Sequence, residues 1–337
     1  MARPLRFEYP GAVYHLMARG DGGKTVFTDR DDHLLFLHRL GEVCKSRGWV
    51  IHAWVLMGNH FHLLAETPEP NLVSGMRLLL GGFSQAWNRR RNRKGHVFQG
   101  RYKSIPVAGG QAADAAHFKT VADYIHLNPA RSGIAGGTNG PLADYEWSSL
   151  PCYRKGKGPA WLSCDRVLQA HDLSTDPRGR RAYGDYLEAR ASEHKGRMSE
   201  SAMAALRRGW YLGDETFKDR LLNLLDKPNS GLREKGSLSG RVLGDHGEHE
   251  AERLIAEGLA ALGMAETDPP ILRKGDPGKV ALATLVRSRT SVGNLWVAQR
   301  LHMGHDRSVS RLIRQGSSDP EVVEFVRRLE KMLPCED

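Results

Sequence analysis

The chain has 337 residues, 40% hydrophobic and 26% charged, an ordinary globular composition with length for about two or three domains. Its formal charge of +10 is not ordinary, and such a field attracts polyanions, nucleic acid first among them. No apolar run reaches the roughly 18 residues of a membrane span, the N-terminus lacks a secretory core, and Cys44, Cys152, Cys164 and Cys335 form no C-x-x-C pair, so a cytoplasmic protein with free thiols is expected.

Val13-Tyr14-His15-Leu16-Met17 is strand-like and runs into a loop at Arg19 to Gly23. Asp29 to Lys45 has helical spacing, with Leu34, Leu35, Leu37, Leu40 and Val43 as apolar positions. Asp29, Asp31 and Asp32 suit its first turn, and Gly48 ends it. Trp49 to Met57 reads as a second strand. Gly58-Asn59 is a tight turn, and His60 to Glu66 returns as the other arm of a hairpin. Residues i and i+2 of a strand share a face, so His60 and His62 project together while Phe61 and Leu63 point into a core. Two imidazoles on one strand face are a candidate metal-ligand pair; an incidental pair on a half-exposed strand has the same spacing.

Pro68-Glu69-Pro70 breaks the chain before a long helix over Leu72 to Arg91 that carries Met76, Leu79, Leu80, Phe83 and Trp87. Its end is the densest basic cluster, Arg89, Arg90, Arg91, Arg93 and Lys94, and the strand-like Gln99 to Ile105 adds Arg101, Tyr102 and Lys103. Cations interleaved with Trp87, Phe98 and Tyr102 suit phosphates and unstacked bases, which makes these residues candidate DNA contacts; a solvated charged face is the bland alternative. The order strand, helix, strand, strand, helix, strand is that of an α+β, ferredoxin-like fold, an antiparallel sheet with helices on one face. Asp114 then caps a helix over Ala115 to Leu127 that stops before Pro129. Tyr124 and Asn128, four apart, fall near one face of its end; a tyrosine there also serves as a core anchor.

After Pro151 the composition shifts. Arg154 to Pro159 reads as a basic, glycine-rich linker, Ser163 to Arg197 and Glu200 to Leu225 as helices, and residues 226 to 250 as a mobile connection. Glu250 to Leu262 and Asp276 to Val286 are amphipathic helices. Thr290 to Arg314 resembles a helix-turn-helix in which Ala298, Leu301, Val309 and Ile313 pack inward. Arg307, Ser308, Ser310, Arg311 and Arg314 then face DNA. Its turn departs from the common pattern, with His302 where glycine is frequent and Gly304 two residues later. A helix pair that packs only on its own domain is the other reading. The expected domains are 1–153, 154–270 as a helical region with linker, and 271–337.

His60-Phe61-His62, Gly100-Arg101-Tyr102 and Tyr124-Ile-His-Leu-Asn128-Pro129, in this order, resemble the single-tyrosine HUH transposases of the IS200/IS605 type, and among them the chromosomal REP-associated tyrosine transposases. The likeness covers about residues 3 to 155 and includes Tyr14-His15-Leu16 and Tyr145-Glu146-Trp147-Ser148-Ser149. It implies metal-assisted cleavage of single-stranded DNA, with His60 and His62 holding Mg²⁺ or Mn²⁺ and Tyr124 attacking phosphorus to form a 5′-phosphotyrosine. In related enzymes a polar residue on the tyrosine helix completes the metal shell, the place Asn128 occupies. Glu66, on the histidines' strand face, is the alternative. Tyr102 is a rival phenol, although its place beside Arg101 suits DNA contact better. The implied partners are single-stranded and hairpin DNA, met by a monomer or homodimer associated with the nucleoid. A catalytically weak DNA-binding regulator on the same fold is the runner-up, and the absence of a G-x-x-x-x-G-K-[ST] phosphate loop lowers a helicase-bearing initiator.

Overall fold

The computed structural model describes residues 6–109, 115–194, 206, 209–226 and 240–333. They fall into two compact units, Arg6–Leu221 and the chain from Leu222 onward. No described helix is long and apolar enough to cross a membrane. Cys44, Cys152 and Cys164 are free thiols; Cys335 and the expected cap Asp114 lie outside the described residues.

The first unit opens with β1 (Ala12–Arg19), α1 (Arg30–Arg47), β2 (Val50–Met57), β3 (His60–Thr67), α2 (Leu72–Arg90) and β4 (Lys103–Val107). The strands form one antiparallel sheet in the order β2-β3-β1-β4. Asp29 caps α1 by accepting from the Asp32 amide, and Gly48 ends it at a φ of 70°, the left-handed region where glycine is unstrained. The turn at Gly58-Asn59 sets Met57 opposite His60, and that register fixes the parity of every side chain on β3.

Parity sorts the strands' side chains onto two faces. Tyr14, Leu16, Trp54, Leu56, Phe61, Leu63 and Ala65 bury against Phe36 and Leu40 of α1 and Leu79 and Phe83 of α2. Val13, Val55, Leu64, Ile105 and Val107 point the other way, into a second core. That core is completed by α3 (Ala115–His126), α4 (Asn128–Arg131), α5 (Leu150–Lys155), α6 (Asp165–Ala170) and α7 (Pro177–His194). Both faces of the sheet are therefore covered, where the sequence reading expected helices on one. The cause is visible in β2: every residue from Ile51 to Met57 is buried, as in a strand packed on both sides.

The expected domain break at 153/154 falls inside this second core. Tyr153, Val167, Leu168, Tyr183 and Leu187 pack together there. The Ile51 amide donates to the Trp161 carbonyl at 3.0 Å, and the Leu212 amide to the Pro106 carbonyl at 2.8 Å. Arg154 to Pro159 is a connector within one unit. The single helix expected over Ser163 to Arg197 is two, because Asp172 takes a φ of 56° between them and Asp176 accepts from the Arg178 and Gly179 amides to start α7.

From the junction onward the helices are α8 (Glu215–Asp226), α9 (Gly240–Leu262), α10 (Asp268–Ile271), α11 (Pro277–Arg289), α12 (Asn294–Arg300), α13 (Asp306–Gly316) and α14 (Pro320–Met332). Leu254, Ile255 and Leu259 share one core with Leu282, Val286, Val297, Leu301, Val309 and Leu329, so the expected break at 270/271 also lies within one body. Part of the tract read as mobile is helical, since α9 begins at Gly240 rather than Glu250. Lys279 is fully buried and donates from Nζ to the carbonyls of Pro269, Leu272 and His302 at 2.9, 3.3 and 3.1 Å. It ties the α10 region to the turn between α12 and α13, where His302 takes a φ of 52°. Lys279→Met keeps the apolar stem but strands three buried acceptors. At about 1–3 kcal/mol per unmet group, the second unit's melting transition should drop by about 10 °C or more; superimposable melts would show that the lysine is dispensable.

Candidate active site

His60 and His62 project from the β3 face that meets α3 and α4, since Phe61 and Leu63 occupy the opposite one. Their ring centroids are 5.1 Å apart with planes at 86°. The end of α3 brings Tyr124 against them, its ring 5.3 Å from His62 and 5.5 Å from His15 of β1, edge-on to both. Two neighbours of Tyr124 in sequence hold the helix in this pose from behind. Asp123 accepts from Tyr186 Oη at 2.8 Å and from Arg190 at 3.0 Å. His126 bridges Tyr183 Oη and Ser149 Oγ at 2.9 and 2.7 Å. α3 ends at His126, Leu127 alone separates it from α4, and α4 starts at Asn128 with Pro129 in its first turn, which keeps Asn128 and Arg131 beside the end of α3. Asn128 is buried and near enough to His60 to favour its charged form, and His60 Nδ1 lies 2.7 Å from Asn59 Oδ1. The Arg131 guanidinium lies 3.8 Å over the Tyr124 ring while Nη1 donates to the Tyr124 carbonyl at 3.0 Å.

The electrostatics follow from burial among cations. Burial pushes the His60 imidazole down to about 4, Arg19 and Arg131 push the same way, and the Asn128 side chain opposes them. Burial, then Lys103 and Arg131, push His15 down to about 3. Both rings are neutral at physiological pH, the form in which imidazole offers a lone pair to a cation. Arg19, Lys103 and Arg131 surround these rings with positive charge, which suits an anionic phosphate. Two imidazoles and an amide oxygen fit a divalent ion that keeps water or phosphate oxygens in the rest of its shell. Among the described residues no group of three His, Cys, Asp or Glu side chains assembles, so any such site depends on the amide.

Residues 9–128 match the family model described as "Transposase IS200 like", a span that holds His15, His60, His62, Tyr124 and Asn128. This part of the chain belongs to the IS200-like transposase family. No curated protein sequence matches the chain. Among solved structures it is similar to a REP-associated tyrosine transposase bound to a REP hairpin, at 18% identity over 48% of this chain and 92% of that one, with a TM-score of 0.38.

Within the IS200-like domain the two expected sources of a third ligand are separated. Glu66 does share the histidines' face, but it sits at the far end of β3, about 13 Å from His62 at strand spacing. Its Oε2 accepts from His52 at 3.0 Å and from Arg166, and these partners hold the carboxyl below its ordinary range against burial. Asn128 is the side chain placed with the pair. Tyr102, the rival phenol, packs on the opposite face of the sheet under the Arg6 guanidinium at 3.9 Å, and burial pushes it up to about 12.

The basic cluster also divides. Arg90 contacts Asp29, Asp31 and Asp32 at 2.8, 3.0 and 2.7 Å, and Arg91 contacts Asp29 and Asp32 at 2.8 and 2.6 Å. These two arginines, expected at DNA, instead clamp the end of α2 to the acidic first turn of α1. Arg89, Arg93, Lys94 and Arg101 are exposed and carry no ion pair among the described residues, whereas Lys103 is half-buried near His15. In the second unit Arg307, Arg311 and Arg314 stand exposed on α13, opposite the buried Val309, with no acidic partner among the described residues; Ser308 is half-buried.

His15, Arg19 and Arg131 also belong to this site, beyond the residues that sequence spacing singles out. For Arg131 a signal existed, because seven residues after Tyr124 is two helical turns on the same face. His15 shares the parity of Val13 and Met17, but parity alone does not name the residue across the sheet.

Proposed function

We propose that the IS200-like domain is a metal-dependent single-stranded DNA endonuclease and strand transferase that works through a 5′-phosphotyrosine. The observation that carries this reading is the Tyr124 ring packed 5.3 Å from His62, on the face His62 shares with His60 and beside Asn128. His60, His62 and Asn128 would hold Mg²⁺ or Mn²⁺, which supplies charge neutralisation for the phosphoryl oxygens and orients an in-line displacement. Tyr124 Oη attacks phosphorus, the bond from phosphorus to the 3′-oxygen breaks, and the phenolic proton ends on the leaving 3′-hydroxyl. Arg131, stacked on the nucleophile's ring and close to His15 and His60, fixes the direction of attack and places a guanidinium where phosphate charge collects. Attack by another strand's 3′-hydroxyl reverses the step and rejoins DNA without ATP, because the phosphotyrosine conserves the bond energy.

The substrate class is single-stranded DNA with a hairpin, as the sequence resemblance implies, read on a ferredoxin-like core. Arg89, Arg93, Lys94 and Arg101, exposed and without an ion pair among the described residues, are the proposed backbone contacts. The second unit acts as a helix-turn-helix in which α13 is the reading helix and Arg307, Ser308, Arg311 and Arg314 meet DNA. Arg311→Ala should weaken hairpin binding and lower the slope of log affinity against log salt by about 1; an unchanged slope would place α13 away from DNA.

The whole reading is tested by incubating the full chain with a labelled hairpin oligonucleotide bearing single-stranded flanks and Mn²⁺. A covalent protein–DNA band on a denaturing gel, carrying the 5′ end of the downstream fragment, is expected. Tight binding without cleavage or adduct would favour the DNA-binding regulator instead.

A further inference from the structure

His15 is the fully buried polar side chain of the site that the proposed reaction leaves without a task. The register pairs Met17 with His62 and His15 with Leu64, so His15 and His62 are diagonal neighbours on the same face of the sheet. Their rings lie nearly parallel, with centroids 5.0 Å apart and planes at 29°, and His15 Nε2 is 2.9 Å from His62 Nδ1. A single proton lies between those two nitrogens, and its owner decides what His62 is capable of. If His15 holds it, His62 must carry its own proton on Nε2, and that nitrogen has no lone pair for a cation. If His62 holds it on Nδ1, His15 Nε2 accepts and His62 Nε2 is a ligand. In that second arrangement the His15 proton sits on Nδ1, a buried atom with no hydrogen-bond partner among the described residues.

We infer that His15 is a positioning residue for the cation site: its Nε2 accepts the His62 Nδ1–H, orients that ring and keeps the His62 Nε2 lone pair aimed at the ion. Histidine ligands ordinarily donate their second N–H to a carboxylate, carbonyl or water, and here another imidazole takes that place. The inference rests on the reading of His60 and His62 as cation ligands. It adds a residue from a different strand to the His60 and His62 pair and gives its buried ring a chemical reason to be histidine.

The test uses the full chain and Mn²⁺ alone, titrated calorimetrically or by the loss of the free-ion electron paramagnetic resonance signal. His15→Phe preserves the ring's volume and removes the acceptor; Mn²⁺ affinity should fall by about tenfold or more. His15→Gln, whose amide oxygen reaches toward the Nε2 position, should recover most of that loss. Wild-type affinity in a folded His15→Phe protein overturns the inference. Failure of the wild type to bind Mn²⁺ overturns the ligand assignment beneath it, a separate result. A third readout does not depend on variants: in ¹⁵N-labelled wild type saturated with Mg²⁺, the ring nitrogens of His62 should show the proton on Nδ1. A proton on His62 Nε2 under those conditions overturns the assignment.

Discussion

Tyr124→Phe should abolish the covalent adduct on labelled single-stranded DNA while leaving hairpin affinity at the wild-type level. The substitution removes one oxygen and keeps the ring, so the edge contacts to His15 and His62 and the Arg131 stack all persist. No DNA-binding group is touched, and binding and cleavage therefore separate. A phenol is a weak nucleophile, but no other group in this site can form the same phosphotyrosine, so the loss should be on the order of 10⁴-fold or more, as for other obligatory nucleophiles. An undiminished adduct would sink the assignment. Tyr102→Phe is the matched control and should leave the adduct intact, since that phenol sits on the other face of the sheet and burial raises it to about 12.

His60→Ala and His62→Ala should each end metal-dependent cleavage, with Mn²⁺ affinity falling more than about 100-fold, because even the partners of metal ligands are worth 10–100-fold. The two differ in side effects. His60 is half-buried, so its truncation opens onto solvent and should leave the fold close to intact. His62 is buried and bonded to His15, so its truncation also leaves a cavity and an unpaired imidazole, and a lower melting temperature is expected for that variant alone. Cleavage that survives EDTA in the wild type, or Mn²⁺ affinity that survives His60→Ala, would count against the site.

Much of this centre was legible in the sequence because it rests on local periodicity. The two-residue repeat of a strand put His60 and His62 on one face, and the hairpin turn at Gly58-Asn59 put that strand next to its partner. The helical repeat put Asn128 about one turn from Tyr124, although α3 ends at His126 and Pro129 opens the next helical turn instead of stopping the chain. Packing signals were legible too where they were amphipathic, as for Ala298, Leu301 and Val309. Domain limits were not, because the basic, glycine-rich composition of Arg154 to Pro159 resembles a linker whether or not the flanking residues share a core.

What only the tertiary structure decided is which groups meet across elements. Charge counts placed Arg90 and Arg91 with DNA, yet the packing of α2 on α1 delivers them to Asp29, Asp31 and Asp32 instead. Alternation made Glu66 a fair third ligand, yet α6 carries Arg166 to it and removes it from contention. His15 and Arg131 join the site through strand register and a helix break, and neither leaves a spacing signature between distant segments. The sequence by itself determined the chemistry on each element through periods of 2 and 3.6 residues. Pairing among elements is set by register and side-chain fit, and so only the folded chain decided which neutral imidazole stands behind His62 and which guanidinium covers Tyr124.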